Sequence, residues 1–285
     1  MSTYNKLLHS YYRESEEADV SRETLRAYLF ELCNEHDVDL YLEKDNEALA
    51  IIEERFHAGV QRILDHEPMN YVLGYSYFFG YKLKVGKDVL IPRYETEELI
   101  GLILATTDEI KADKLVVGDI GTGSGAIAIA LKKEEPRFEV HASDISSDAL
   151  KVARENALLN EADIHFYQGS MCEPMLEAGL KLDVLVSNPP YIKADEKLES
   201  SVVDYEPHVA LFGGDDGLKF YRMILADAKK LVKEDGLIFF EMGYDQRDNL
   251  TRLAREHFPD AQIEVFKDLG HNDRMMRIIL KPRLA

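Results

Sequence analysis

At 285 residues, with 46% hydrophobic and 31% charged, the chain is long enough for one large domain or a large one with a small companion, and its composition is that of a folded globular protein. No apolar run approaches the ~20 residues of a membrane helix, and residues 1–12 lack a signal-peptide core, so neither a membrane span nor export is expected and the cytoplasm is the expected compartment. A formal net charge of −19 argues against a surface built to neutralise phosphates; it fits a basic protein partner or simple solubility.

Cys33 and Cys172 lie far apart with no Cys-x-x-Cys, which suits a reducing compartment and offers no structural zinc motif. The nine histidines are scattered, none spaced for ligation with another His or Cys, so no metal is expected.

Residues 4–68 show helical periodicity. Leu7, Leu8, Tyr11 and Tyr12 share a face; Ser21 caps a second helix carrying Leu25, Tyr28, Leu29 and Leu32; Asp45 or Asn46 opens a third through Ile51, Ile52, Phe56, Val60 and Ile63. The pattern predicts a small helical bundle that serves either substrate and partner binding or as a scaffold. Aromatic and β-branched residues on both sides of Gly80 predict a β-hairpin that joins two domains. The expected division is therefore 1–74 for a helical substrate-recognition domain, 75–92 for the linker and 93–285 for the second domain.

Residues 89–92 predict a short strand that runs into a helix through Leu99, Ile100 and Ile103. At the helix entry, Arg93, Thr96 and carboxylates including Glu97 fit either a cationic ligand or the helix's own N-terminus. From Lys114 onward strands and helices alternate, with strands expected at 115–120, 138–142, 164–167, 182–186 and 236–240 and a helix capped by Ser147 between the second and third. Such alternation predicts an α/β fold with a doubly wound, mostly parallel sheet. Strands at 262–266 and 275–280, separated only by a loop, add an antiparallel terminal hairpin and bring the sheet to seven strands.

The first of these strands ends in Asp119-Ile120-Gly121-Thr122-Gly123-Ser124-Gly125. Glycines let a ligand approach the backbone in the crevice where doubly wound sheets bind nucleotides. The spacing is Gly-x-Gly-x-Gly behind an acid, not Gly-x-Gly-x-x-Gly. A pyrophosphate disfavours the nearby anion, whereas a ligand with an ammonium and a sulfonium tolerates Asp119, which favours S-adenosylmethionine over a nicotinamide dinucleotide; the alternative is a plain tight turn. Asp144 ends the second strand about twenty residues further on, where a carboxylate accepts ribose hydroxyls or caps the next helix. After the third strand, Met171 and Cys172 suit either the face of an adenine or the core.

The fourth strand ends in Asn188-Pro189-Pro190-Tyr191. Proline has no N–H to continue a ladder, so the chain turns there and presents the Asn188 amide oxygen, the Pro189 carbonyl and the Tyr191 ring. Two acceptors and an aromatic face suit a planar NH₂ group.

Together, the glycine loop, Asp144 and Asn188-Pro189-Pro190-Tyr191 resemble class I S-adenosylmethionine methyltransferases of the amino-methylating kind. Ile91-Pro92-Arg93-Tyr94-Glu95-Thr96-Glu97, Pro68-x-x-Tyr71-Val72-Leu73-Gly74 and Tyr205-Glu206-Pro207-His208-Val209-Ala210-Leu211-Phe212-Gly213-Gly214 narrow the likeness, over essentially the whole chain, to the HemK/PrmC release factor glutamine methyltransferases. That resemblance implies methylation of the Gln amide in the Gly-Gly-Gln loop of class 1 release factors; the acidic charge counts against direct contact with nucleic acid, and a monomer is expected. It also implies cofactor binding by Gly121, Thr122, Gly123, Ser124, Gly125, Asp144, Cys172 and Asn188, and glutamine binding by Asn188, Pro189, Pro190 and Tyr191. Within that set Asn188, Pro189 and Tyr191 are the expected catalytic residues, with Arg93, Thr96, Glu97 and Asp119 in support. The chain departs from the family at Tyr94, where Pro is usual, and at Cys172, where a larger apolar residue is common. The competing readings are an adenine-type amine methyltransferase on nucleic acid and a non-catalytic S-adenosylmethionine-binding protein.

Overall fold

The computed structural model describes residues 2–197 and 200–281. They form two compact units, Met1–Tyr75 with Leu198–Tyr205, and Ser76–Lys197 with Glu206–Ala285. The return of the segment around residue 200 to the first unit is not apparent from the sequence pattern.

The first unit is helical: α1 (Tyr4–His9), α2 (Tyr12–Glu17), α3 (Arg22–Asn34), α4 (Leu40–Glu43), α5 (Ala50–Leu64) and α6 (Met69–Leu73). Ser21 caps α3 as its position predicts, accepting the Thr24 N–H. The periodic apolar residues of α3 and α5 form one core in which the Tyr28 and Phe56 rings stack at 5.8 Å. Two expectations change. The first helix is divided into α1 and α2, and the third begins at Ala50, not at Asp45 or Asn46. The reason is backbone competition: Lys44 O accepts from Asn5 N, Ala48 N donates to Ser2 O, and Thr3 bridges Glu47, so residues 44–48 pair with the chain's start and cannot be helical.

From Ser76 the second unit carries the two-stranded ribbon of β1 (Tyr75–Phe78), whose first residue ends the first unit, and β2 (Tyr81–Lys84). It continues through α7 (Tyr94–Asp108), β3 (Leu115–Ile120), α8 (Ala126–Glu134), β4 (Phe138–Asp144), α9 (Ser147–Leu159), β5 (Ile164–Gln168), α10 (Glu173–Glu177) and β6 (Leu182–Ser187). After α11 (Ser200–Tyr205) of the first unit come α12 (Lys219–Leu231), β7 (Val232–Glu241), α13 (Arg247–His257), β8 (Gln262–Lys267) and β9 (Asp273–Ile279). The seven-stranded sheet has the order β5-β4-β3-β6-β7-β9-β8, parallel from β5 to β7. The terminal hairpin is antiparallel, and its second strand, β9, is the one that pairs with β7.

Leu99 and Ile103 of α7 and Ile127 of α8 cover one sheet face, while Met175 of α10, Tyr221 and Leu225 of α12 and Leu250 of α13 cover the other. The chain runs outward from β3 through β4 to β5 and then returns to β6 on the other side of β3. Strand order reverses there, and the crevice beyond the carboxyl ends of β3 and β6 is where such sheets bind ligands.

Three local expectations are corrected. Residues 89–92 are not a strand, because Ile91 N donates to the buried Glu206 carboxylate at 3.3 Å and has no partner strand. Ser146, not Ser147, caps α9, accepting the Ala149 N–H at 3.1 Å. Strand β7 begins at Val232, ahead of Gly236. No helix among the described residues is long and apolar enough to cross a membrane.

Asn156 of α9 ties the ribbon to the glycine loop: its Oδ1 accepts Lys84 N at 2.6 Å, and its Nδ2 donates to Lys84 O at 3.0 Å and Ser124 O at 2.9 Å. It is fully buried, so Asn156→Ala leaves backbone groups without partners. The expected loss is ~2–4 kcal/mol in urea unfolding, together with weakened binding at the glycine loop.

Candidate active site

The turn after β3 is shaped by glycine. Gly121 and Gly123 adopt φ of 74° and 55°, where L side chains are strained, and a Cβ at either would meet no atom within 4 Å. Both line a cavity of about 340 Å³, of a size that suits a small-molecule cofactor. Thr122 and Ser124 share that wall; Gly125 does not. Its φ of 84° starts α8, and a Cβ there would stand 3.2 Å from that of Ala153. The last glycine therefore lets helices pack, while the first two leave a cradle open.

Asp144, at the end of β4, faces the same cavity. Its Oδ2 accepts the Gly123 N–H and its Oδ1 the Ser146 N–H, both at 2.9 Å. Each oxygen keeps acceptor capacity for a ligand hydroxyl. Burial raises the Asp144 pKa against the pull of these backbone donors.

Asp119 is entirely buried one turn below the loop. Its Oδ2 accepts the Thr122 hydroxyl at 2.6 Å, while Oδ1 has no hydrogen-bond partner. Burial first, and repulsion from Asp144 second, push its pKa from 3.8 to about 7, with the Thr122 bond opposing. A cationic group on a ligand in the cradle would stabilise the ionised form.

After β5, Ser170 and Met171 line the cavity, Met171 with φ of 46°. Cys172 is not at the wall. It is fully buried in the core between the sheet and α10, with its thiol pushed up to about 12 by burial, and of the two residues only Met171 faces the cavity. A single-residue shift follows from the turn: Met171 O accepts the Ser143 hydroxyl at 3.1 Å, which turns the next side chain inward.

The Asn188-Pro189-Pro190-Tyr191 turn supplies Asn188 and Pro190 to the cavity. Asn188 Nδ2 donates to Thr96 Oγ1 at 3.3 Å, and the Thr96 hydroxyl donates to Glu241 Oε2 at 2.6 Å. Glu241 is 2% exposed, and its pKa is raised by burial against hydrogen bonds from Thr96 and Tyr191 and the charge of Arg274. Its carboxylate fixes the direction of the Thr96 hydroxyl, so that Thr96 must accept from Asn188. One N–H of Nδ2 is thereby held by the protein, which fixes the way round of the amide and leaves Oδ1 to accept from a ligand.

Tyr191 is placed differently from the expectation. Its ring packs against the core cluster around Leu185 and Phe240, and its hydroxyl donates to Glu241 Oε1 at 3.3 Å. It anchors the turn and does not line the cavity; buried Pro189 does not line it either. Burial and the Glu241 charge raise the Tyr191 pKa, keeping the phenol protonated.

Of the supporting residues, Arg93 and Thr96 line the cavity. Arg93 is ion-paired with buried Glu206. Glu97 is elsewhere: its Oε1 accepts Phe79 N at 2.7 Å and fastens the ribbon. Glu241 and Arg274 carry no signal in the sequence because each is an isolated charge outside any motif, while Glu206 stands in the Tyr205–Gly214 stretch with nothing there to pair it with Arg93 or Ile91. Gly213, in the Tyr205–Gly214 stretch, and Gly217, just beyond it, have a steric role. A Cβ on Gly213 would stand 2.5 Å from Pro190 O, and one on Gly217 would stand 2.3 Å from Tyr191 O, so the reactive turn lies directly on glycine backbone.

The glycine cradle, the strand-end carboxylate and the Asn-Pro-Pro turn on this sheet define a class I methyltransferase. A family model described as the methyltransferase small domain matches residues 101–205. A methyltransferase crystal structure from Pyrococcus furiosus superposes with a TM-score of 0.53 at 16% identity, covering 78% of this chain and 97% of that one, a likeness of fold. The chain is 40% identical to the release factor glutamine methyltransferase of Bacillus cereus, covering 79% of this chain and 80% of that protein. It is 44% identical to that of Streptococcus pneumoniae, covering 76% of each. The chain belongs to the release factor glutamine methyltransferase family.

Because the folded-state pKa of Asp119 is raised, the folded protein holds this proton more tightly than the unfolded chain. The resulting stability is full below the ordinary carboxylate value and is lost as pH rises through about 7. Thermal melts of ligand-free Asp119→Asn should therefore fall less between 3.8 and about 7 than those of the parent protein. Parallel profiles would mean that Asp119 is not held protonated by burial.

Proposed function

We propose that the chain methylates the side-chain amide nitrogen of the glutamine in the Gly-Gly-Gln loop of class 1 peptide-chain release factors, with S-adenosylmethionine as donor. Family membership supports the donor and the release factor glutamine. The observation that carries the mechanism is the Asn188–Thr96–Glu241 relay, which commits Asn188 Nδ2 inward.

Bound S-adenosylmethionine supplies an electrophilic methyl carbon. Gly121, Gly123 and Ser124 would hold its methionine part, Asp144 its ribose hydroxyls and Met171 its base; each lines the cavity. The residues of the chain act on the other reactant. An amide nitrogen is a weak nucleophile because its lone pair is delocalised into the carbonyl. Asn188 Oδ1, on the cavity wall, accepts one N–H of the glutamine; the Pro189 carbonyl, whose residue is buried behind that wall, would accept the second only once the substrate displaces the turn, and the pair would fix the amide plane and turn the nitrogen's π-face toward the donor. As positive charge grows on nitrogen, the same two acceptors stabilise it. The methylated nitrogen keeps one N–H and releases one proton, so no base is required before transfer. Pro190 and Val209 would exclude water beside the amide, both lying on the cavity wall.

A net charge of −19 favours a basic protein surface over nucleic acid as the partner. The helical unit is assigned to recognition of the release factor, and the enzyme to the cytoplasm as a monomer.

The test is incubation with methyl-labelled S-adenosylmethionine and, separately, a release factor, its Gln-substituted variant and duplex DNA. Label on the release factor alone, lost with the Gln, is expected; label on DNA would contradict the assignment. In the same assay Asn188→Ala should raise the barrier by ~2–4 kcal/mol while donor binding partly survives.

A further inference from the structure

Away from the cavity, β4 and β5 bring together three side chains that are 2 and 24 positions apart in the sequence. Parallel register sets His141 directly beside His165. Glu139 lies two residues before His141 and so on the same sheet face. The two imidazoles stack with centroids 4.8 Å apart and planes 27° apart. Glu139 Oε1 lies 3.8 Å from His141 Nε2 and 4.0 Å from His165 Nε2. Reading the histidines as scattered is thus corrected, since strand pairing supplies the proximity that spacing along the chain does not.

His141 gives the cluster its direction. Its side chain is 6% exposed, yet Nε2 has no hydrogen-bond partner. Its Nδ1 lies 3.0 Å from the Tyr167 hydroxyl. With the proton on Nδ1 donated to that hydroxyl, Nε2 presents a bare lone pair toward Glu139, which is the arrangement in which an outer hydrogen bond orients a ligating imidazole. A buried polar atom without a partner is costly, and a ligand at Nε2 removes the cost. Burial, then the neighbouring His165, lowers the His141 pKa and keeps the ring neutral, while the Lys114 hydrogen bond lowers that of Glu139 and keeps it ionised. Lys114 occupies Oε2, at 2.6 Å, and so leaves Oε1 to the imidazoles.

We propose that Glu139, His141 and His165 form a site for a divalent transition-metal cation of the zinc type, with two imidazole nitrogens and one carboxylate oxygen as ligands. All three candidate ligand atoms lie within 4.8 Å of one another. Tetrahedral zinc with ~2.0–2.2 Å bonds wants its ligand atoms ~3.3–3.5 Å apart, so rotation of His165, the half-exposed member, completes the set. Two imidazoles with one carboxylate suit zinc better than magnesium or calcium, which prefer all-oxygen shells. Solvent would occupy the remaining position, since Glu139 and His165 are open to it. Such an ion would clip the edge strand β5 to β4.

Untagged protein, stripped with chelator, is titrated with Zn²⁺ by calorimetry and with Co²⁺ by visible absorption. One saturable equivalent is expected, with a thermal midpoint that rises on adding Zn²⁺. His165→Ala and Glu139→Gln, both at accessible positions and so compatible with folding, should each weaken binding at least tenfold and abolish the thermal shift. Tyr167→Phe should weaken it by ~10-fold through the lost outer hydrogen bond. No saturable binding, or equal affinity in His165→Ala and the parent, would overturn the site.

Discussion

One buried carboxylate, Glu241, organises the reactive end of the sheet. It stands at the end of β7, 2% exposed, with Thr96 on one oxygen and Tyr191 on the other. Its own backbone carbonyl accepts the Tyr221 hydroxyl at 2.7 Å. A buried charge is tolerated only where hydrogen bonds and a counter-charge meet it, and Arg274 on β9 provides that counter-charge while donating to Met242 O at 3.2 Å. Four separate segments, α7, the Asn-Pro-Pro-Tyr turn, α12 and β9, are thereby tied to one group. The position of Asn188 is a consequence of that solvation requirement.

Steric restriction works alongside the electrostatics. The turn lies on Gly213 and Gly217, and Gln246 Nε2 donates to Tyr191 O at 3.0 Å from beneath. On the donor side, Gly121 and Gly123 keep space clear while Asp144 holds the Gly123 N–H. One side of the cavity is therefore defined by room left for a ligand, and the other by a side chain that cannot turn over. Methyl transfer to a weak nucleophile relies on positioning, and this division of labour suits it.

Much of the fold is legible because strand–helix alternation and apolar periodicity are local signals. The glycine loop, Asp144 and Asn188 are legible for the same reason: each closes a recognisable strand. What escapes is set by long-range pairing. Ile91 looks like strand but is held by Glu206, 115 positions away, and Thr96 looks like a helix-entry residue but answers to Glu241, 145 positions away. Motif position points Cys172 and Tyr191 at the cavity, but the direction in which each turn sets its side chains places both in the packing. His141 and His165 show the converse, residues without a shared motif that meet through strand register.

The orientation of Asn188 by Thr96 is the central claim, and steady-state kinetics of Thr96→Val and Thr96→Ser test it most directly. Valine keeps the shape but removes the hydroxyl that accepts from Asn188 and donates to Glu241, whereas serine retains it. The expected result is a loss of ~10- to 100-fold in kcat for the valine variant with donor affinity nearly unchanged, and recovery of most activity in the serine variant. A valine variant with parental kcat, or a serine variant as impaired as the valine, would contradict the relay.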